Sequence, residues 1–295
     1  MQIKIKLRQK KEDIKTKQVG HMLDQQKSRH NHITSFQIII LGFFSIIIIG
    51  SLLLMLPFAT REAGGATLSD ALFTATSAVC VTGLVVRDTA TYWSVFGQGV
   101  ILLLIQIGGM GIVTVAVSVA AVSGKKIGLM QRSTMQEAIS AHHVGGIVRL
   151  TKFILKTTLF IELGGAALLA YPFCRDFGFP KGIWYALFHS VSAFCNAGFD
   201  LTGAKEPFSS LTSYSSDVLV NITVIMLIII GGIGFLTWED IKNNKWHIRR
   251  YRMQSKVILS VTGILIVLPA LYFFFGEFSD KPMGERILSS LFQSV

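Results

Sequence analysis

The sequence predicts an all-α integral membrane protein that is built from a repeated helical unit. Three observations predict this fold class: long apolar runs, lysines and arginines concentrated in three segments, and a stretch of sequence that occurs twice. Of the 295 residues, 51% are hydrophobic and only 15% are charged, a composition that is rare in a water-soluble chain of this length. We therefore expect lipid to surround most of the chain.

Five apolar runs are long enough to cross a bilayer. A hydrocarbon core about 30 Å thick requires roughly 20 residues of helix. The runs cover residues 36–56, 95–122, 153–173, 218–238 and 257–275. Each is predicted to be a membrane-spanning helix.

The positive charges are distributed unevenly between these runs. The tail up to residue 32 and the segments 123–156 and 238–256 hold 21 of the 28 lysines and arginines. Because cations near span ends stay on the cytoplasmic side, these segments and the N-terminus are predicted to be cytoplasmic. The net charge of +11 follows from this topology, so no nucleic acid partner is expected.

A repeat appears when the chain is compared with itself at an offset of 115 residues, which places Ala186 on Ala71. Residues 71–84 and 186–199 are then identical at seven of fourteen positions. Both copies are followed by an apolar helix that contains three closely spaced glycines. These glycines are Gly108, Gly109 and Gly111 in the first copy and Gly231, Gly232 and Gly234 in the second. An internal repeat of this kind indicates repeated structural units.

Each copy includes a half-length apolar segment, at 68–77 and 182–192, that is too short to cross the membrane. We interpret these segments as re-entrant helices that enter from the outer side. The loop after such a helix is tolerated at membrane depth where it is buried in protein or lines a wet cavity. Its carbonyl oxygens can replace the hydration shell of a cation, and the negative C-terminal end of the helix favours one. The repeated unit is therefore helix, pore helix, filter loop, helix.

Gly83 and Gly198 occupy the same position in the two loops. Glycine accepts a positive φ cheaply and lets a carbonyl turn without interference from Cβ. A single copy would be interpreted as an ordinary turn glycine at the end of a helix. Two copies with the same flanking residues favour a filter.

The segments 76–84, 192–199 and 106–111 resemble the Ktr/Trk/HKT superfamily of K⁺ transporters, and most closely the membrane subunit of its Ktr branch. Members have four such units around one pore with one filter glycine in each, and Gly83 and Gly198 match the first two. The resemblance implies K⁺ uptake, with Na⁺ dependence left open, and no bound cofactor. It implies that the ion is selected by the backbone carbonyls of Val79, Cys80, Val81, Thr82 and Gly83 and of Phe194, Cys195, Asn196, Ala197 and Gly198.

The resemblance also implies partners and a location. Ktr-type membrane subunits form homodimers and bind a cytosolic ring of nucleotide-binding regulatory subunits through basic loops of the kind found here. The expected location is the plasma membrane of a bacterium, as a multi-pass protein in contact with lipid. The sequence contains no Walker lysine loop and no HExxH motif, so no enzyme is expected. Without CxxC spacing, its three cysteines give no support for a bound metal.

The predicted organisation is a basic cytoplasmic tail (1–32), a first pore repeat (33–122), a cytoplasmic linker (123–152), a second pore repeat (153–241), a basic cytoplasmic loop (242–256) and an incomplete third pore repeat (257–295). We expect this chain alone to hold two filter quarters and not to rescue a bacterium deficient in K⁺ uptake. One alternative is an inactive truncated product. Another is a secondary transporter of a different small solute, which two repeats of the same orientation argue against.

For the six glycines and for Glu162, the sequence allows two interpretations each. The six glycines of the two Gly-rich helices fit close helix packing or flexibility of a pore-lining helix. Glu162 is a carboxylate inside a predicted span, which indicates either a function or a structural hydrogen bond. His189 lies on the second pore helix opposite Thr74, where we expect a polar contact behind the filter.

Overall fold

The computed structural model describes residues 35–62, 64–111, 114–115 and 147–295. Within these ranges every longer regular element is a helix and no β-sheet is present, which confirms the all-helical prediction for this part of the chain. The predicted tail at 1–32 and most of the predicted linker at 123–152 lie outside the described residues. The described residues from 39 onwards belong to one compact unit.

The first repeat contains three described helices. They are α1 (Ser35–Leu54), α2 (Leu68–Val79) and α3 (Val95–Met110). The Thr67 hydroxyl accepts a hydrogen bond from the backbone N–H of Asp70 and begins α2, and the Ser94 hydroxyl caps α3 in the same way. Such N-caps satisfy backbone donors that have no partner inside the helix.

The second repeat contains four helices. They are α4 (Ile147–Phe177), α5 (Lys181–Phe194), α6 (Val218–Gly232) and α7 (Phe235–Asn244). The 14 residues of α5 extend roughly 21 Å, and the 12 residues of α2 roughly 18 Å. Both of these helices are therefore too short to cross a bilayer, as the half-length segments predict.

The last part of the described chain contains α8 (Met253–Phe275) and α9 (Met283–Ser294). Among the described residues, three helices are long and apolar enough to cross a membrane: α1, α4 and α8. A fourth span exists if α6 and α7 count as one bent element, and α3 is a shorter apolar helix. The described spans therefore number three or four, against the five that the apolar runs predict.

The prediction of one continuous helix through 218–238 is wrong. The chain bends by 95° between α6 and α7, and Gly234 at the bend has a φ of +81°. A positive φ cannot continue a right-handed helix. In the first repeat, α3 likewise ends at Met110 and is followed by Gly111 with a φ of +77°, so the predicted helix at 95–122 is interrupted at residue 111. Residues 112–113 and 116–122 of this prediction lie outside the described residues.

The buried side chain of Asp240 joins α7 to the start of α8. Its Oδ2 accepts hydrogen bonds from the backbone N–H of Arg252, at 3.0 Å, and from the hydroxyl of Ser255, at 2.6 Å. The Arg252 guanidinium lies 3.4 Å from Oδ1. A carboxylate at a helix N-terminus is favoured by the dipole and by the free N–H groups.

Replacing Asp240 by alanine should lower the free energy of unfolding by about 2–4 kcal/mol, because three donors lose a buried, charged acceptor. Thermal unfolding of the purified protein in detergent measures this loss. The matched control is Glu239→Ala, which removes a more exposed partner of Arg252 and should cost less than about 1 kcal/mol. Equal losses in both variants would contradict this role of Asp240.

Polar side chains join the first repeat to the second, among them those of Trp184, Gln98 and Asp88. The indole N–H of Trp184 on α5 donates to the side-chain oxygen of Gln98 on α3, at 2.8 Å, and the Gln98 amide nitrogen donates to backbone carbonyls of the loop before α3. On the loops that follow the two short helices, Asp88 Oδ2 accepts from the backbone N–H of Phe208, at 3.0 Å. These contacts set the position of one loop against the other.

Candidate functional site

The first candidate filter loop begins where α2 ends. The backbone N–H of Val81 donates to the carbonyl of Ala78, at 3.3 Å, and that of Thr82 donates to the carbonyl of Ser77, at 2.9 Å. This pair of bonds is a Schellman motif, which uses the last helix carbonyls as acceptors for the loop N–H groups. The backbone N–H groups of these loop residues thus donate to carbonyls of the preceding helix.

The second loop repeats this geometry after α5. Asn196 donates to the carbonyl of Ala193, at 3.0 Å, and Ala197 donates to that of Ser192, at 2.8 Å. Its dihedral angles match as well, since Val81 and Asn196 have φ values of +57° and +56°. The two loops therefore share one backbone conformation although their side chains differ.

Val81 is an unusual residue for this conformation. A β-branched side chain at positive φ is a strained outlier, whereas asparagine adopts the same region more easily. Strain of this kind concentrates at functional sites, where the surrounding structure enforces it. The first loop therefore keeps its shape against the preference of its own side chain.

Among the described residues, the backbone carbonyl oxygens of the two loops are free to accept from or coordinate another group. Within the described part of the chain, none of the carbonyls of residues 79–83 and 194–198 accepts a hydrogen bond. Each set follows the C-terminus of a short helix, where the dipole is negative. Two groups of unpaired carbonyls in this field are suited to a cation.

The glycines of the two candidate filter loops lie where these loops meet. Gly83 and Gly198 have φ values of +71° and +73°. A methyl group built on Gly83 would overlap the carbonyl oxygen of Ala197, whereas one on Gly198 would lie 3.6 Å from the Cα of Gly83, an ordinary contact. Both positions therefore need glycine for the dihedral angle, but only Gly83 needs it for space.

Two glycines of the longer helices support the loops from behind. A Cβ on Gly108 of α3 would overlap the carbonyl oxygen of Val79, and a Cβ on Gly231 of α6 would overlap that of Phe194. These carbonyls terminate the two short helices, so each Gly-rich helix contacts the start of the candidate filter loop of its own repeat. Small residues permit such close approach between membrane helices.

The other predicted glycines have different surroundings. A Cβ on Gly109 would lie 2.5 Å from Cys195 Sγ, across the boundary between the repeats, and one on Gly232 would lie 3.2 Å from the side-chain amide group of Asn196. Gly111 and Gly234 have open space around them and positive φ. Three of the six are thus crowded against the loops, and one is in closer-than-usual contact. The other two are cap residues, Gly111 at the end of α3 and Gly234 at the start of α7.

Side chains behind the loops differ between the repeats. In the first, Thr82 donates to the hydroxyl of Ser77 at 2.9 Å; in the second, Ser192 donates to the carbonyl of Phe199 at 2.6 Å. His189 bonds through Nδ1 to the carbonyl of Tyr185, at 2.7 Å, and accepts from the backbone N–H of Leu201 through Nε2, at 3.2 Å. His189 therefore holds the chain that leaves the second loop.

A cavity of about 410 Å³ adjoins the second loop. Polar groups of Asn196, Ser192 and Asp200 line one part of it, and Phe292 of α9 lines another. The cavity therefore leaves open space beside this loop, with a lining that is mostly apolar and contains a few polar groups.

An ion-pair cluster holds the loop between α5 and α6. Asp176 Oδ2 accepts from Lys205 Nζ, at 2.6 Å, and from the Tyr214 hydroxyl, at 2.9 Å. Burial, with the neighbouring carboxylate, raises the pKa of Tyr214 above its ordinary value, so the phenol remains the donor. The loop that follows the second filter is thereby tied to the end of α4.

Sequence reasoning did not identify Ser77, Ser192 or Asp88 as parts of this site. The two serines are identical between the copies, so the repeat held a signal for them. Asp88 had no such signal, because its partner Phe208 lies 120 positions further along the chain.

Comparison with known proteins gives a family match. Residues 13–295 match the family TrkH, described as cation transport protein. The match covers all the described helices and both loops.

Three relatives are similar over most of the chain. The potassium/sodium uptake protein NtpJ of Enterococcus hirae is 39% identical over 93% of this chain and 60% of its own length. The Ktr system potassium uptake protein B of Bacillus subtilis is 40% identical over 88% of this chain and 58% of its own length. The protein of that name from Vibrio alginolyticus is 34% identical over 88% of this chain and 57% of its own length. The chain thus spans about three fifths of the length of these relatives.

Proposed function

Because this chain belongs to the TrkH family of cation transport proteins, we propose that it forms part of the pore of a Ktr-type K⁺ uptake system. The observation that carries the proposal is the pair of matching loops with unpaired carbonyls. In this proposal, the carbonyls of residues 79–83 and 194–198 form two quarters of the selectivity filter.

The physical basis is replacement of the hydration shell. A K⁺ ion that enters the filter loses water, and several carbonyl oxygens at once must compensate for that loss. The shared Schellman geometry keeps the loop N–H groups turned to the helices and leaves the carbonyls for the ion. Inward movement gains about 2.3 kcal/mol per charge for each 100 mV of membrane potential.

The relatives support K⁺ as the substrate. Two of them carry potassium uptake in their printed names, and the Enterococcus protein carries potassium and sodium. In this proposal the protein lies in the membrane and holds no resident cofactor. Its activity is transport, not enzymatic catalysis. The uptake experiment described below also measures whether transport depends on Na⁺.

The membrane orientation follows from the charges. The basic segments 123–156 and 238–256 flank the inner ends of the spans, so α2 and α5 enter from the outside. We place the N-terminus in the cytoplasm and the protein in the plasma membrane of a bacterium, the kind of organism from which the three relatives come.

The loop between α7 and α8 is the surface that we assign to a cytosolic partner. Trp246 is 94% exposed and Ile248 is 60% exposed, and Arg249 and Arg250 stand beside them. An exposed tryptophan among cations is typical of a contact surface. The partner proposed from the family resemblance is a ring of nucleotide-binding regulatory subunits, with a homodimer of the membrane subunit above it.

The test is Rb⁺ uptake by a bacterium that lacks its own K⁺ uptake systems. The protein that contains this chain should restore growth at low external K⁺ and take up ⁸⁶Rb⁺, with K⁺ as the better competitor over Na⁺. Expression of residues 1–295 alone in the same strain measures what this part supplies. Absence of K⁺-competed uptake by the protein at normal membrane levels would contradict the proposal.

A further inference from the structure

Glu162 is an intramembrane carboxylate that the proposed filter does not use. It lies midway along α4 (Ile147–Phe177) and is only 4% exposed. Because α4 crosses the membrane in this fold, its midpoint lies near the centre of the bilayer. Carboxylates at this depth are rare and usually face a protein interior or a pathway for ions.

The contacts of Glu162 connect three helices. Its backbone carbonyl accepts from the hydroxyl of Ser190 on α5, at 2.7 Å. The Gln106 side chain, on α3 of the other repeat, donates to its carboxyl group. The second carboxyl oxygen, Oε1, is buried and has no hydrogen-bond partner within the described residues.

These neighbours locate Glu162 behind the second loop. Ser190 lies in the last turns of α5, which ends at Phe194. Cys195 is the next residue and the first of the loop after the helix. Gly109, one turn after Gln106, packs on the Cys195 sulfur. The carboxyl group therefore lies beside the end of α5, near the boundary between the repeats.

This position is unfavourable for an isolated anion. Burial in a low-dielectric interior is costly for a carboxylate with one unpaired oxygen. The C-terminal end of a helix carries negative partial charge, which repels a second negative charge placed beside it. A cation held by the carbonyls of the neighbouring loop would reduce both penalties, since it attracts the carboxylate and the helix end together.

We propose that the Glu162 carboxylate is the counter-charge for the cation bound at the second loop, and that it raises the affinity of this filter quarter for monovalent cations. The inference rests on the proposed function of the loops. It adds an electrostatic determinant to a filter that otherwise consists of backbone carbonyls.

The test compares Glu162→Gln with Glu162→Asp in the protein that contains this chain. Glutamine keeps the size and the contact with Gln106 but removes the charge, whereas aspartate keeps the charge. We expect KM for ⁸⁶Rb⁺ to rise about tenfold in Glu162→Gln with little change in maximal rate, and to stay within about threefold in Glu162→Asp. The matched control is Thr158→Val, one turn earlier on α4, where another buried side-chain oxygen has no partner among the described residues but no charge is lost.

Several outcomes separate the inference from its alternatives. An unchanged KM in a well-folded Glu162→Gln variant overturns the inference and leaves the filter assignment intact. A rise in KM shared by Thr158→Val indicates a packing role and also overturns it. If the unaltered protein takes up no Rb⁺, the proposed function itself fails, and the inference with it.

A second measurement covers the case in which Glu162→Gln does not fold. Infrared difference spectra of the unaltered protein, recorded with and without K⁺, report the state of buried carboxyl groups. We expect a K⁺-dependent carboxylate band that shifts in Glu162→Asp. A spectrum in which no carboxylate responds to K⁺, or in which the response is the same in Glu162→Asp, would overturn the inference.

Discussion

Replacing Gly231 by alanine is expected to abolish K⁺ selectivity and most of the uptake. The added methyl group would overlap the carbonyl oxygen of Phe194, the last residue of α5. Neither atom is a flexible side chain, so α6 or the start of the second loop must move. A shift of a few tenths of an ångström changes the distances by which carbonyl oxygens select an ion, and overpacking costs about 1–3 kcal/mol in stability. Rb⁺ uptake with K⁺ and Na⁺ as competitors measures the effect.

Gly164→Ala is the matched control for this variant. Gly164 lies inside α4, and no atom of the described residues lies within 4 Å of the position that a Cβ would take, so alanine there adds the same methyl group without an overlap. It should leave uptake unchanged and raise helix stability slightly. Uptake and selectivity of Gly231→Ala equal to those of Gly164→Ala would show that the contact with Phe194 does not position the loop.

Serine at Gly83 and serine at Gly198 should reduce the selectivity for K⁺ over Na⁺ by unequal amounts. Both positions have positive φ, so serine costs about 1 kcal/mol in conformational energy at either one. At Gly83 the side chain would also overlap the carbonyl of Ala197, whereas at Gly198 the nearest atom lies 3.6 Å away. We therefore expect Gly83→Ser to abolish discrimination between K⁺ and Na⁺ and Gly198→Ser to reduce it by about tenfold.

Competition of Na⁺ and K⁺ for ⁸⁶Rb⁺ uptake gives the ratio for each variant at matched membrane levels. Alanine at the same positions separates backbone strain from side-chain bulk, and the order of severity should be preserved. Equal effects at 83 and 198 would mean that the loops do not meet as described. Unchanged selectivity in both variants would mean that neither glycine belongs to the filter.

The repeat was the part of the sequence that predicted most of the architecture. Because seven of fourteen residues recur at a fixed offset, the short helices α2 and α5 could be located within two residues of their observed ends. Their equal loop geometry was also implied, since the same flanking residues surround different central ones. Hydrophobic runs alone would have given spans without the short helices between them.

The bends and the contacts between repeats could not be predicted in the same way. Gly234 follows an apolar run, and in a hydropathy pattern it does not differ from Gly232, although Gly232 is the last residue of α6 and Gly234 is the N-cap of α7 at the bend. The bond between Trp184 and Gln98 joins residues 86 positions apart. Such pairs depend on how helices are placed in three dimensions, which periodicity does not encode.

The contacts of Gly108 and Gly231 with the loops could be predicted only in part. Their small size indicated close packing, but not the atom against which they pack. Only the structure identifies the carbonyls of Val79 and Phe194 as their neighbours. This contact connects a common packing feature of membrane helices to the candidate filter.

Anomalous diffraction from crystals of the protein that contains this chain, grown with Tl⁺ or Rb⁺, tests the filter assignment most directly. We expect ion density between the carbonyl oxygens of residues 79–83 and 194–198, reduced when excess K⁺ is added and unaffected by the same concentration of Na⁺. Ordered ion density elsewhere in the membrane region, with none beside these two loops, would contradict the assignment.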